Sequence, residues 1–155
     1  MLKNQRKRVR SVTQKRSRGL SAAYIGVSAA TSSRMKSVPQ RDTGVERALR
    51  SALWQLGCRF RVNKRVGKTR PDIVFGRRRV AVFVDGCFWH GCPRHYLAPI
   101  NNASLWHEKV TRNRLRDRRN TRELRVAGWR VIRIWECDIR RRIDVIALRV
   151  AGAVS

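Results

Sequence analysis

Acid is scarce in this chain: ten Asp and Glu stand against 37 Lys and Arg in 155 residues, a formal net charge of +27. That imbalance excludes a surface neutralised by its own mixed-sign pairs. Its self-repulsion calls for a polyanionic partner, of which nucleic acid is the default. Long apolar runs are lacking too: no stretch reaches the roughly 18 to 20 uninterrupted apolar residues that a membrane-spanning helix needs. Nor does any strongly amphipathic basic helix mark a membrane surface. Internal repeats are absent, which excludes solenoids and propellers. Cysteine is scarce, with Cys58, Cys87, Cys92 and Cys137 only. The histidines beside Cys87 and Cys92 favour metal in a reducing compartment over the disulfides of a secreted protein. The basic start is too long, and "GLSAAYIGVSAA" too broken by Ser and Gly, for a signal peptide, so a cytoplasmic location is expected.

What is present divides unevenly. Residues 1–40 hold ten basic residues and no acid, a composition that cannot bury enough apolar surface to offset its ordering entropy. A disordered basic arm is expected over residues 1–32 and a folded domain over 33–152. The 27 basic residues outside 1–40 still exceed the ten acids by 17, so the folded part is itself basic. From Thr43, apolar residues recur at three- and four-residue steps through Leu56, with Thr43 and Glu46 at capping-box spacing and Gly57 placed to end a helix. "RFRV", "DIVF" and the apolar run "VAVFVD" (Val80 to Asp85) predict three strands, with "GRRR" as a turn. A helix is expected from Ser104 to about Ala127, a strand over "WRVIRIWE" and a short helix over "IDVIALRVAGA". The order α, β, β, β, α, β, α predicts a mixed α/β sandwich with helices against its sheet. Trp54, Trp129 and Trp135 belong in its core, and Cys58 reads as an ordinary buried thiol.

Chemistry concentrates in "VDGCFWHGCPRH". Cys87, Cys92 and Cys137 with one histidine make the ligand set of a closed tetrahedral zinc site; spacing alone leaves His90 and His95 interchangeable as the nitrogen ligand. Asp72 after Pro71, and Asp85 at the end of "VAVFVD", place carboxylates at neighbouring strand ends, where they could hold Mg²⁺. Among so many arginines, salt bridging is the competing use of any acid. Phe88, Trp89 and Trp106 flank a basic surface, as rings that stack on or wedge between bases do, although core packing is the common fate of such rings. Between Lys109 and Arg125 eight basic residues stand against two acids, Asp117 and Glu123, which suits a phosphate-tracking surface; Lys109, Arg112 and Arg116 are candidate DNA contacts.

Taken together, "RDTGVE", "RPDIVF", "VFVDGCFWHGCPRHY", "LWHEK", "RDRRN" and "GWRVIRIWEC" resemble the very-short-patch repair endonucleases, the Vsr family, from about Ser33 to about Ile143. The resemblance implies the restriction-endonuclease-like PD-(D/E)xK fold with a structural zinc. It also implies nicking of DNA 5′ to the T of a T:G mismatch, the lesion left by deamination of 5-methylcytosine. Asp72 then matches a Mg²⁺ ligand and Val84 a second contact through its carbonyl. Glu46 matches a supporting carboxylate near the metal waters, and His90 the group that activates the attacking water. Cys87, Cys92, His95 and Cys137 become the zinc set, while Phe88, Trp89 and Trp106 become the wedge that opens the duplex. A monomer acting on double-stranded DNA is implied, with other mismatch-repair proteins as candidate partners.

The chain departs from the general nuclease pattern at the end of its third strand. Where acid-x-lysine is the rule, it has Asp85, Gly86 and Cys87, so His90 must take over the lysine's part. Some members of the family carry histidine at the position of Asp85, which leaves this residue between a metal-side role and that of proton donor to the leaving group. Two alternatives therefore stand beside the mismatch endonuclease: a zinc-stapled DNA-binding module without catalysis, and a nuclease of the same fold with other specificity.

Overall fold

The computed structural model describes residues 41–155, so the expected arm and the first residues of the expected domain lie outside it. Helix α1 spans Gly44–Gln55, strand β1 Arg61–Val62, β2 Ile73–Phe75, β3 Val80–Asp85, helix α2 Ala103–Val126, β4 Arg130–Trp135 and helix α3 Glu136–Gly152. The four strands lie in the order β1-β2-β3-β4. Neighbours are antiparallel up to β3, whereas β3 and β4 run parallel from Val80↔Arg130 to Asp85↔Trp135, joined through α2 as parallel strands require. The mixed α/β sheet flanked by helices is the fold class that the sequence predicts.

Caps set the helix limits. Thr43 Oγ1 accepts the Glu46 N–H at 3.3 Å, and Glu46 reaches back to accept the Asp42 N–H at 2.9 Å, a capping-box arrangement in which the returning bond closes one residue before the N-cap. At the other end Gly57 adopts φ +77°. Its N–H donates to Trp54 O and that of Cys58 to Leu53 O, the paired bonds of a Schellman closure, for which glycine has no steric penalty. Gly128 repeats that closure at the end of α2, again at φ +77°, with Trp129 N–H on Leu124 O.

Alternation along the strands separates two faces. Ile73, Phe75, Val80, Val82, Ile132 and Ile134 form one core with Val45, Leu49 and Leu53 of α1 and Ile139, Ile146, Ala147 and Val150 of α3. The opposite phase sends Asp85 and Arg133 toward α2, where Arg133 lies 3.2 Å from Asp117.

Three expectations need correction. Trp54 is not core: it is 56% exposed, with the Arg59 guanidinium 4.0 Å from its ring centroid. Its neighbour Leu53 already fills the inward position. Trp129 and Trp135 are half-buried and stand outside the buried core. The last strand stops at Trp135, and the final helix starts at Glu136, seven residues before the expected start at Ile143, because the chain resumes helical geometry on both sides of a break at Arg142 (φ −148°, ψ 53°). Cys58 is half-buried against the core. No helix among the described residues is long and apolar enough to cross a membrane.

Leu49, fully buried where α1 meets the sheet, sets the scale of this packing. Leu49→Ala is expected to lower unfolding free energy by about 3 kcal/mol, measured by denaturant titration with an unchanged m-value.

Candidate active site and metal centre

Asp72 and Asp85 reach the same end of the sheet by different routes. Asp72 lies just before β2, where its backbone N–H still donates to Val82 O at 3.0 Å. Its side-chain Oδ2 accepts the Val84 N–H at 2.8 Å. Six of the ten acids form ion pairs with arginine: Asp42, Asp85, Glu108, Asp117, Glu136 and Asp138. Asp72 and Glu46 form none among the described residues, in a protein with arginine to spare. Burial pushes the Asp72 carboxyl up to about 6, with Glu46 and Asp85 adding to the rise and the Val84 N–H and Arg133 opposing it. Hard oxygen donors that no arginine pairs with directly suit a divalent cation.

Glu46 is 5% exposed. Beyond the Asp42 N–H it accepts the Thr43 hydroxyl at 3.0 Å, so its two oxygens complete the helix cap. It also lines, with Val84, Trp89, His90, Lys109 and Arg116, a cleft of about 570 Å³. Capping and a place at the site thus coincide in one side chain.

His90 stands apart from the sulfur cluster. Its Nδ1 lies 2.5 Å from Asp117 Oδ2 and 3.7 Å from Asp85 Oδ1. Burial alone would raise the Asp117 carboxyl, but the hydrogen bond from His90 and the charge of Arg133 carry it below its ordinary value. An ionised acceptor at Nδ1 calls for a proton on that nitrogen, so Nδ1 is the donor and Nε2 is the ring nitrogen not engaged by Asp117. The peptide on either side is held to α2: Asn113 Nδ2 donates to Trp89 O at 2.8 Å and Arg114 Nε to His90 O at 3.1 Å. Gly91, at φ +65°, is pressed so close that a Cβ would meet Val110 Cγ1 at 2.5 Å.

Asp85, His90 and Asp117 have donor atoms within 4.8 Å of one another. Arg133 nevertheless pairs with both carboxylates, so their lone pairs and charge are already engaged and the trio is an ion-pair network. The structure therefore places Asp85 beside His90 and Arg133, with both its oxygens taken up by the guanidinium.

Cys87, Cys92, His95 and Cys137 converge with all ligand atoms within 4.8 Å of one another. Cys92 Sγ is 3.9 Å from Cys137 Sγ and 3.6 Å from His95 Nδ1. Tetrahedral thiolate ligands at about 2.3 Å from a zinc ion are about 3.8 Å apart, so the spacing fits a closed four-ligand centre. Burial works against charge at both Cys87 and Cys92; it pushes Cys87 up to about 12, whereas the Arg94 N–H and His95 outweigh it at Cys92 and bring that thiol down to about 6. Of the two histidines that spacing leaves interchangeable, His95 joins the sulfurs and His90 faces the carboxylates.

The three loop aromatics form one interlocked group. Phe88 meets Trp106 edge-on at 4.9 Å and Trp89 at 5.2 Å. Trp106 is only 7% exposed, while Phe88 and Trp89 are half-buried. Lys109 Nζ lies 5.0 Å from the Trp89 ring and 5.1 Å from Trp106. Arg116 contacts Asp117 at 3.4 Å, and Arg112 pairs with Glu108 on the exposed face of α2.

Sequence reasoning missed Asp117, Arg133, Asn113 and Arg114. Two of them had a signal. Asp117 is one of two acids in a basic stretch, and Arg133 interrupts the apolar phase of "VIRIW".

Residues 27–95 match the family described as DNA mismatch endonuclease Vsr. The Type II nicking enzyme V.NaeI of Lentzea aerocolonigenes is 48% identical over 115 residues, covering 71% of this chain and 69% of that one. The DNA mismatch endonuclease Vsr of Escherichia coli (strain K12) is 38% identical over 115 residues, 74% of each chain. Among solved structures, the catalytic domain of the homing endonuclease I-Bth0305I superposes with a TM-score of 0.51 at 18% identity, over 72% of this chain and 93% of that one. That last likeness speaks for the nuclease fold alone, whereas the sequence relatives reach the chemistry: this chain belongs to the Vsr family of DNA endonucleases, hydrolases that cleave DNA.

Proposed function

We propose that this endonuclease nicks one strand of double-stranded DNA 5′ to the T of a T:G mismatch, starting very-short-patch repair. The observation that carries it is the meeting, at one end of the sheet, of two carboxylates with no arginine ion pair among the described residues, half-buried Asp72 and buried Glu46, and a histidine held through Nδ1 by Asp117. The relative named a DNA mismatch endonuclease supports the substrate, and those named nicking enzymes support single-strand cleavage.

Asp72 and the Val84 carbonyl would hold Mg²⁺, with Glu46 toward its waters; when bound, the ion supplies Lewis-acid stabilisation of the charge that develops on the phosphoryl oxygens. His90 takes a proton from the attacking water at Nε2 while Asp117 steadies the imidazolium, the part that lysine plays elsewhere in this fold. Phe88 and Trp89 form the wedge against the opened base step, with Trp106 buried behind them as its support. Lys109, Arg112 and Arg116 fix register on the backbone without reading sequence. Cys87, Cys92, His95 and Cys137 would hold a structural zinc that ties the loop after β3 to the first turn of α3. Residues 33–152 constitute the endonuclease domain, acting as a monomer in the cytoplasm, and the charge of the preceding segment adds to the attraction for DNA.

Incubation with T:G and matched C:G duplexes in Mg²⁺ is expected to nick the T strand of the first and leave the second whole. Equal cutting of both would point to a same-fold nuclease of other specificity, and salt-sensitive binding without cutting to a module that has lost catalysis. Cys137→Ser is expected to lose one equivalent of zinc by metal analysis, together with thermal stability. Asp72→Asn should abolish nicking yet stabilise the protein in chelator. The Asp72 carboxyl is raised from 3.8 to about 6, so the folded state loses stability as pH climbs between those values and bears the full cost above them. Removing that charge is expected to add about 2 kcal/mol at pH 7.5 by denaturant titration, and nothing at pH 4.

A further inference from the structure

Two carboxylates compete for one nitrogen. Asp117 approaches His90 Nδ1 from α2 at 2.5 Å, and Asp85 approaches it from the end of β3 at 3.7 Å. A single N–H satisfies one good acceptor, and the one it takes sets the tilt of the ring. The tilt in turn decides where Nε2 points in the cleft.

Arg133 bears on both acceptors. From β4, its Nε donates to Asp85 Oδ2 at 2.8 Å, and one terminal nitrogen donates to Asp85 Oδ1. The same terminal nitrogen lies 3.2 Å from Asp117 Oδ2. The guanidinium sits 5.0 Å from the Phe83 ring centroid, which braces it from its own side of the sheet. A bidentate fork takes the best lone-pair directions of both Asp85 oxygens, and a lysine, as a point charge, could not do so. Asp85 is 6% exposed; without Arg133 it would be a buried carboxylate with His90 Nδ1 3.7 Å away.

We propose that Arg133 is a positioning residue which, by occupying Asp85 in a bidentate pair, assigns His90 Nδ1 to Asp117 and so aims Nε2 at the attacking water. Asp85 belongs to this ion pair and not to the metal or the leaving group. The inference rests on His90 as the water-activating base and names the device that orients it.

The test compares the unmodified full-length protein with Arg133→Gln, Arg133→Lys and the double variant Asp85→Asn/Arg133→Gln. Single-turnover nicking, duplex binding and the ¹⁵N spectrum of labelled histidine are measured on each. Arg133→Gln is expected to slow nicking about tenfold or more, as misplacement of a reacting group does, with binding within about twofold. Arg133→Lys should not rescue it. The double variant, whose residue 85 no longer competes as an anion, should recover to within about threefold. The Nδ1–H resonance of His90 should change in Arg133→Gln and return in the double variant. A loss carried by binding would overturn the proposal in favour of a direct phosphate contact, and a double variant no faster than Arg133→Gln would overturn it outright. His90→Ala nicking at the full rate would remove the base reading alone, while the histidine spectrum would still report whether Arg133 directs Nδ1.

Discussion

Parallel pairing of β3 with β4 is the constraint on which the site depends. Its register ends at Asp85↔Trp135, so the next residues of both strands leave the sheet side by side. Cys87 follows two positions after one member of that pair and Cys137 two positions after the other. Two sulfurs 50 residues apart in sequence are thereby brought together by backbone hydrogen bonds that involve neither. The loop supplies Cys92 and His95, and a four-residue group that could hold a metal is complete. The carboxyl end of parallel strands, where side chains diverge and loops begin, is the usual place for a site in an open α/β sheet. Here the same end also receives Asp72, because the antiparallel β2 delivers the residue before its first position to the last turn of β3.

Scarcity of acid then sorts the charges. In a chain with this excess of arginine, a carboxylate finds a cation unless geometry withholds one. Most acids do find one, and the pairs on the exposed faces of α1, α2 and α3 contribute little to stability. Asp85 and Asp117 share Arg133 in a buried network, and Asp72 has only a backbone N–H. The carboxylates at one sheet end are therefore not equivalent. One has no arginine partner, and of the two that share Arg133 only Asp117 holds the imidazole of His90 at hydrogen-bond distance.

Local signals carried most of the fold. Thr43 with Glu46, and Gly57 with Gly128, announce the helix limits because their chemistry is confined to a few bonds within each cap. The apolar run from Val80 marks the central strand, because both of its faces are covered. The site was legible in its residue types and in the resemblance, but not in its pairings. Cysteine spacing left His90 and His95 equivalent, since either side chain can ligate; only the fold shows that α2 draws the first toward Asp117 and away from the sulfurs. Arg133 and Asp117 went unnoticed because each has meaning only beside the other, across a helix and a strand. Trp54 misled because helical periodicity specifies a stripe, and a tryptophan at its edge can lie against solvent with an arginine over it. The early start of α3 was hidden because "IWEC" continues the apolar strand pattern while the backbone has already turned.

The break at Arg142 divides α3 into a short first segment that carries Cys137 and Asp138 and a longer one that carries Ile146, Ala147 and Val150 into the core. A continuous helix would make these one cooperative unit, so that any disturbance of the sulfur cluster would be felt along its whole hydrogen-bond ladder. Interrupting the ladder separates them into two units of different opening free energy. The first segment is held both by Arg94 on Asp138 at 2.6 Å and by Ile139 in the core, and the second by Ile146, Ala147 and Val150. Amide exchange would then fall into two classes along a single helix, with the boundary at the residue where the backbone leaves helical geometry.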